Sequence, residues 1–284
     1  RRRRGTQAPR RPRLLRLRAR ALRLLITRPK DDADARVMKV ARILHLDSVL
    51  DRMPGHISEG EKQRVAVARA IVRDPNCFLF DEPLSRLDIE LRESMRGQIK
   101  EVLSNLSKAT VIVTHDQLEA LTMADRIAIM KDGVIEQVGS PHEVFAKPAN
   151  LFVASFIGTP QMNLVAAELK SVAGNKAQVV FDGDNLELPI DPAVARLRPS
   201  KIMVGIRPRA FGLTSTPGGD TISAQAELIE PMGAETLIHA RTKKGTDIRV
   251  VVPRSQRIKV GETVHLRPDP KETHVFGEDG RAVR

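Results

Sequence analysis

Residues 77–88 read CFLFDEPLSRLD, an apolar segment that ends in two adjacent carboxylates, Asp81 and Glu82. Residues 77–80 have the character of a buried strand, and the end of such a strand in an α/β sheet faces a solvent-filled crevice. In a nucleotide-hydrolysing site the first carboxylate holds Mg²⁺ and the second polarises the attacking water. Taken alone, the segment is equally compatible with a core strand followed by an acidic turn.

Two further segments favour the first interpretation. Residues 57–70 read ISEGEKQRVAVARA, and residues 111–116 read VIVTHD. In this order and spacing, the three segments resemble the signature motif, the Walker B motif with its D-loop, and the switch histidine of ABC-transporter ATPases. The similarity extends from about residue 31 to the C-terminus.

The C-terminal part carries a second resemblance. Residues 205–208, 230–236 and 261–264 read GIRP, EPMGAET and GETV, and they are similar to the regulatory domain of the sugar and glycerol-phosphate importer ATPases. Arg209 departs from that pattern, because an acidic residue usually follows the Arg-Pro pair. The resemblance implies an importer subunit that couples ATP hydrolysis to uptake of a sugar or a glycerol-phosphate-like solute.

The resemblance also assigns roles to the residues around the carboxylate pair. It implies that Asp81 binds Mg²⁺ through water, that Glu82 orients or deprotonates the attacking water, and that His115 contacts the γ-phosphate of ATP. Without these neighbours, His115 would be interpreted as a hydrogen-bonded structural histidine at a strand end. We therefore expect Glu82 and His115 to be catalytic and Asp81 to be the metal ligand.

Members of this family form head-to-tail dimers, in which each ATP lies between one subunit's P-loop and the other subunit's signature helix. By this resemblance, Ser58 and Gly60 would present free N–H groups and the positive end of a helix dipole to the γ-phosphate. Asp88 would couple the two ATP sites. The expected partners are a second ATPase subunit and integral membrane permease subunits, with the chain peripheral on the cytoplasmic face of the inner membrane.

The signature segment departs from the family's Leu-Ser-Gly-Gly-Gln at Glu59 and Glu61. Ser58 and Glu61 form an S-x-x-E capping box, and each acidic residue in the first turn favours the helix by about 0.3–1 kcal/mol. The same charges oppose an arriving phosphate, and the Glu59 side chain obstructs an approach that glycine permits. We expect a segment that suits helix capping better than ATP binding.

A phosphate-binding loop of the form G-x-x-x-x-G-K-[ST] is absent from this sequence, since none of the 18 glycines precedes a lysine. In the family that loop lies N-terminal to the signature motif. We therefore expect a truncated ATPase that is inactive alone and uses ATP and Mg²⁺ only if a partner supplies the loop. A non-catalytic regulatory or interaction protein is the alternative.

The net charge of +12 is concentrated at one end of the chain. Residues 1–30 contain twelve Arg, one Lys and no acidic residue, which leaves a net charge of −1 for residues 31–284. The globular part therefore has no basic excess for a nucleic-acid partner. Residues 1–30 could form a basic amphipathic helix that binds anionic lipid or nucleic acid. We expect instead a disordered segment that does not belong to the family, as a truncated or frame-shifted gene would encode.

The predicted fold class is α/β, with a partial RecA-like ABC ATPase domain at residues 31–158 and an all-β OB-like regulatory domain at residues 159–284. We expect the single cysteine, Cys77, to be buried, and we expect a hydrophobic strand edge to be left uncovered. Helices are predicted at residues 34–46, 58–72, 91–106 and 117–124 and from residue 140, and strands at residues 77–80, 110–114, 126–130, 134–138, 177–181, 201–207, 224–230, 236–241, 248–252 and 263–266.

Overall fold

The computed structural model describes residues 30–85, 87–106, 108–174, 176–182, 184–189 and 201–283. The expectations for residues 1–29 lie outside this part of the chain. The chain divides into two compact units, Arg1–Glu119 and Ala120–Arg284. This division lies upstream of residue 158, where the sequence changes to β-rich character, and the domain boundaries drawn from sequence stay a prediction.

The first unit has the helix–strand alternation that the sequence predicts. Its elements are α1 (Lys30–Ile43), α2 (Glu59–Val72), β1 (Cys77–Asp81), α3 (Ile89–Leu106), β2 (Ala109–Val113) and α4 (Gln117–Met123), of which α4 continues past the unit boundary. β1 and β2 pair in parallel, with Asp81 opposite Val113 at their carboxyl ends. α3 is the crossover that parallel strands require, and it leaves the two strand ends side by side.

The sheet formed by β1 and β2 buries one face. Phe78 is 2% exposed, whereas Leu79 is 72% exposed and Val111 is 52% exposed. Cys77 lies on the same face as Leu79 and is exposed, so the prediction of a buried cysteine was wrong. The physical reason is that successive side chains of a strand point to opposite faces, and Cys77 shares its face with the exposed residues.

The second unit begins with a β-hairpin. β3 (Ile127–Lys131) and β4 (Val134–Gly139) pair antiparallel, which confirms the predicted strands. The turn contains Asp132 and Gly133, whose φ angles are 49° and 80°. Two consecutive positive φ angles are typical of a type I′ turn, and Asp-Gly is one of the sequence pairs that favour it.

Two short helices follow the hairpin. α5 (Pro141–Ala146) begins after Ser140, which confirms the predicted start of a helix, and the Ser140 side chain caps it. α6 (Leu151–Phe156) was not predicted, although the Asn150 side chain caps it in the same manner. A helix of six residues is too short to show a helical apolar period in the sequence.

Two five-stranded antiparallel sheets make up the remainder of the second unit. Their strands are β5 (Asn163–Ala173), β6 (Lys176–Phe181), β7 (Asp184–Pro189), β8 (Lys201–Ile206), β9 (Phe211–Thr214), β10 (Ile222–Pro231), β11 (Glu235–Thr242), β12 (Asp247–Pro253), β13 (Thr263–Pro268) and β14 (Thr273–Phe276). The strand orders are β14-β8-β5-β6-β7 and β12-β11-β10-β13-β9. Apolar side chains of both sheets form one shared core, as expected of an OB-like β domain. The sequence did not predict β5, β7, β9 or β14.

Asn163 joins the two sheets. Its Nδ2 donates hydrogen bonds to the carbonyl of Ile206 at 3.1 Å and to the carbonyl of Arg249 at 2.8 Å. Its Oδ1 accepts the N–H of Arg249 at 2.8 Å. Ile206 and Arg249 belong to different sheets, so one buried amide satisfies backbone groups of both.

Arg207 joins the α5–α6 segment to the sheets. The side chain is buried and donates from Nη1 to the carbonyl of Ile157 at 2.9 Å and from Nη2 to the carbonyl of Phe145. The guanidinium carbon lies 3.6 Å from the centre of the Phe145 ring, a cation–π contact. Burial lowers the pKa of Arg207 to about 10, so the group remains charged at neutral pH. Gly158 has a φ of 113°, and a Cβ there would lie 2.7 Å from Nη1.

Candidate functional site

The first part of the candidate site is the N-terminus of α2. The Ser58 hydroxyl accepts the N–H of Glu61 at 3.2 Å, and the Ser58 N–H donates to the Glu61 carboxylate at 2.6 Å. The predicted capping box is thus confirmed. The hydrogen bonds from Ser58 hold the pKa of the Glu61 carboxyl below its usual range.

Both acidic residues of the signature segment lie near basic side chains. The Glu59 carboxylate lies 3.2 Å from Lys62 Nζ, and the Glu61 carboxylate lies 3.6 Å from Arg52 Nη1. These contacts offset part of the negative charge that the two residues bring to the first turn. The electrostatic opposition to a phosphate is therefore smaller than a count of acidic residues suggests.

Gly60 has a packing role that its sequence context did not indicate. A Cβ at this position would lie 3.0 Å from Leu87 Cδ2 and 3.2 Å from Leu91 Cδ2. These distances are shorter than ordinary carbon–carbon contacts, so a larger residue would require the Leu87 and Leu91 side chains to shift by a few tenths of an ångström. The first turn of α2 therefore packs directly against the segment that follows β1.

The second part of the candidate site lies at the carboxyl ends of β1 and β2. The Glu82 N–H continues the parallel pairing by donating to the carbonyl of Val113 at 2.8 Å. The Glu82 carboxylate lies 2.8 Å from His115 Nδ1. An ionised carboxylate only accepts hydrogen bonds, so a hydrogen bond between these atoms requires the His115 tautomer with the proton on Nδ1. The structure thus brings together the two residues for which the sequence suggested catalytic roles.

Asp81 precedes this contact and is exposed at the end of β1. Among the described residues, no cluster of three or more His, Cys, Asp or Glu side chains could hold a metal ion. A single exposed carboxylate nevertheless suits Mg²⁺, which commonly keeps several waters and takes further ligands from substrate phosphates. Asp81 therefore fits the metal-binding role, with water and phosphate as the other ligands.

Asp88 has a clear structural role. Its carboxylate accepts the N–H of Leu91 at 2.9 Å, which caps the first turn of α3. Asp116 does the same for α4, because its carboxylate accepts the N–H of Leu118 at 2.8 Å. Each of these acidic residues lies where a strand end or loop turns into a helix, so capping alone accounts for the residue type.

Sequence reasoning missed two side chains that contact Glu82. Gln63 Nε2 and Ser85 Oγ each donate to the Glu82 carbonyl, both at 3.1 Å. Gln63 lies on α2 and Ser85 in the loop after β1. Ser85 is local and follows a common turn pattern, whereas no short-range signal identifies Gln63.

Comparisons with known proteins assign two parts of the chain to families. The ABC transporter family matches residues 7–85, and the TOBE domain family matches residues 196–276. The first match begins within residues 1–30, the segment that we expected to lie outside the family. It ends just after the carboxylate pair at Asp81 and Glu82.

Two curated relatives give the same assignment. The chain is similar to an uncharacterized ABC transporter ATP-binding protein, y4oS, of Sinorhizobium fredii, with 43% identity over 88% of this chain and 65% of the relative. It is similar to the sn-glycerol-3-phosphate import ATP-binding protein UgpC 3 of Agrobacterium fabrum, with 39% identity over 90% of this chain and 70% of the relative. A structure of cbiO1 from Clostridium perfringens, part of the ABC transporter complex cbiONQ, matches 44% of this chain and 50% of that chain, with 28% identity and a TM-score of 0.40.

The chain thus spans about two thirds of the length of the curated relatives that it matches. Identity of about 40% extends over most of this chain and includes both the segment with the carboxylate pair and the β-rich part. The chain therefore belongs to the family of ABC transporter ATP-binding proteins and carries a TOBE domain in its C-terminal part.

Proposed function

We propose that this chain is an ATP-binding subunit of an ABC importer, coupling ATP hydrolysis to uptake of a sugar or a glycerol-phosphate-like solute. The observation that carries the proposal is the 2.8 Å contact between Glu82 and His115 at the ends of two parallel strands, next to Asp81. The names of the relatives, which include glycerol-3-phosphate import, support the solute class.

In this proposal each residue has one task. The Glu82 carboxylate orients the attacking water and accepts its proton, and Nδ1–H of His115 holds that carboxylate in place. Asp81 would hold Mg²⁺, which when bound neutralises charge on the phosphates. Ser58 and Gly60 present the N-terminus of α2 to ATP held by a partner subunit, and phosphoryl transfer depends on such positioning.

The proposed partners follow from the same reasoning. ATP and Mg²⁺ would bind where another polypeptide supplies the P-loop, and the chain would associate with a second ATPase subunit and with membrane permease subunits. It would then lie on the cytoplasmic face of the inner membrane. In the described part of the chain, no helix combines the length and apolar character needed to cross a membrane.

Complementation with a P-loop segment tests the role of Glu82. We expect no Glu82-dependent ATP hydrolysis from the chain alone, because positioning of the phosphates carries most of the catalysis. Co-purification with the part of the Agrobacterium relative that precedes its signature motif should give hydrolysis. Glu82→Gln should reduce that rate about a hundredfold or more, as loss of a general base does.

Glu93→Gln is the matched control, because Glu93 is an exposed acidic residue on α3. It should leave the hydrolysis rate unchanged. If the complemented chain hydrolyses ATP equally fast with Glu82 and with Gln at position 82, the proposed catalytic role of Glu82 is refuted.

A non-catalytic regulatory role is the second candidate. It is favoured by the signature segment, in which Glu61 is held in a capping box and Glu59 lies beside Lys62. If residual negative charge weakens binding of a partner's ATP, Glu59→Gly with Glu61→Gln should strengthen nucleotide-dependent association with a full-length relative. Gln at position 61 can still accept the N–H of Ser58, so the helix cap is retained.

Light scattering or analytical ultracentrifugation at low salt, with and without ATP, measures this association. An affinity at low salt that the double substitution leaves unchanged would exclude the proposed repulsion.

A further inference from the structure

Glu82 has a backbone conformation that side-chain-bearing residues rarely adopt. Its φ is 47°, in the left-handed region. Such a conformation persists at a non-glycine residue only where the surrounding structure imposes it, and it commonly occurs where a side chain must point in an unusual direction.

Hydrogen bonds to the backbone of Glu82 impose this conformation from two sides. On one side, its N–H donates to Val113 of β2 at 2.8 Å. On the other, its carbonyl accepts from Gln63 Nε2 and Ser85 Oγ, both at 3.1 Å. Because the carbonyl can only accept, the Gln63 amide must present its NH₂ group to Glu82.

Gln63 is the member of this set that comes from a distant element. It lies on α2, the helix that Ser58 caps, and is 19 residues from Glu82 in the sequence. Ser85, by contrast, belongs to the same turn as Glu82 and moves with it. Gln63 thus connects α2, the helix that would face ATP, to the backbone of Glu82, the residue that would activate water.

We propose that Gln63 is a positioning residue: its hydrogen bond to the Glu82 carbonyl holds the Glu82 carboxylate against His115 and couples that carboxylate to α2. The importance of this coupling rests on the proposed role of Glu82 in ATP hydrolysis. The contact between Glu82 and His115 can be measured without nucleotide, so this inference fails or stands separately from the proposed function.

The experiment uses ¹⁵N-histidine labelling of the full chain. The ring nitrogens of His115, identified with His115→Gln, report whether Nδ1 donates a hydrogen bond to a carboxylate. Glu82→Ala gives the signal in the absence of the contact. Gln63→Met removes the donor and keeps the side-chain length, and Gln63→Glu replaces the NH₂ group by an acceptor. Gln98→Met is the matched control, because Gln98 lies on α3 and donates to Ser94.

We expect the His115 Nδ1 signal of Gln63→Met and of Gln63→Glu to move toward that of Glu82→Ala, while Gln98→Met keeps the wild-type signal. A Gln63 that only packs α2 would lower the melting temperature in both variants and leave the His115 signal of the folded protein as in the wild type. That outcome in either folded variant, with or without a change in melting temperature, would overturn the proposal.

Discussion

Arg207 and Arg209 show how differently two neighbouring arginines contribute to this molecule. Arg207 is 5% exposed, and its guanidinium donates to the backbone carbonyls of Ile157 and Phe145. The Arg209 side chain is 49% exposed and forms a bidentate ion pair with Glu235, at 2.9 and 2.7 Å. Solvent competes with the second contact and is excluded from the first, so the two side chains should differ in their effect on stability.

We expect Arg207→Met to lower the free energy of unfolding of the second unit by about 3 kcal/mol. The substitution leaves two buried carbonyls without their hydrogen-bond donors, and each such loss carries a desolvation penalty. Hydrogen exchange of the β sheets in the full chain, measured as a function of denaturant, gives this quantity for the second unit alone.

Arg209→Met is the control for Arg207→Met. Arg209 lies two positions away and its side chain is 49% exposed, so water can replace the hydrogen bonds that the substitution removes. We expect Arg209→Met to leave the hydrogen-exchange rates of the β-sheet amides almost unchanged. Similar effects of the two substitutions would mean that the buried guanidinium has no special part in stability.

The sheet of β1 and β2 is the element that departs most from an ordinary globular arrangement. One face packs on the core through Phe78 and Phe80, which are 2% and 7% exposed. The other face exposes Leu79 and Val111 at 72% and 52%. Exposed apolar side chains on a sheet with a free edge are a recognised cause of aggregation.

We expect Leu79→Thr to raise the protein concentration at which the chain aggregates while leaving its melting temperature unchanged. The reason is that Leu79 is already mostly exposed to water, so its removal costs little buried area. Turbidity on concentration and a thermal melt measure the two effects.

Phe78→Ala, one residue earlier on the opposite face, is the matched comparison. It should destabilise the first unit by about 3–5 kcal/mol, because it leaves a cavity in the core. If Leu79→Thr destabilises the chain comparably, the exposed face must be covered in solution.

The boundary between the two compact units lies between residues 119 and 120. The second unit therefore includes the β3–β4 hairpin and the helices α5 and α6, which precede the β sheets. Arg207 is not the sole link between the α5–α6 segment and the C-terminal β-rich part, because two backbone hydrogen bonds also connect them. The Leu151 N–H donates to the carbonyl of Gly280 and the Ala282 N–H donates to the carbonyl of Ala149, both at 2.9 Å. Ala154 of α6 also packs with the buried residues Met162 and Phe276. The sequence alone had suggested a boundary at residues 158–160.

We expect residues 120–284 to fold as one cooperative unit and to melt at a higher temperature than residues 159–284. The shorter fragment loses α5 and α6 and leaves Arg207 buried without its acceptors or newly exposed to water. Calorimetry of the two fragments compares them directly, and Arg207→Met in the longer fragment should remove most of the difference. Equal melting temperatures would show that the β sheets are independent of the helices, as the sequence boundary implied.

Local chemistry explains what could be predicted. Both capping boxes, Ser58 with Glu61 and Ser140 with Glu143, involve residues three positions apart, so the spacing of side chains specifies them. The parallel strands and the turn between β3 and β4 follow from short apolar runs and an Asp-Gly pair. The family resemblance, and with it the expected roles of Glu82 and His115, was carried by short motifs. The contact between these two residues was not predicted, because they lie 33 residues apart in the sequence.

Folding of the whole chain was needed for the remaining features. Gln63 and Glu82 are 19 residues apart, and Arg207 is 50 residues from Ile157 and 62 from Phe145. Which elements pack together decides such contacts, and a periodic pattern in one element carries no information about its neighbour. The exposure of Cys77 has the same origin, because an apolar strand predicts burial but not which of its two faces the remaining structure covers.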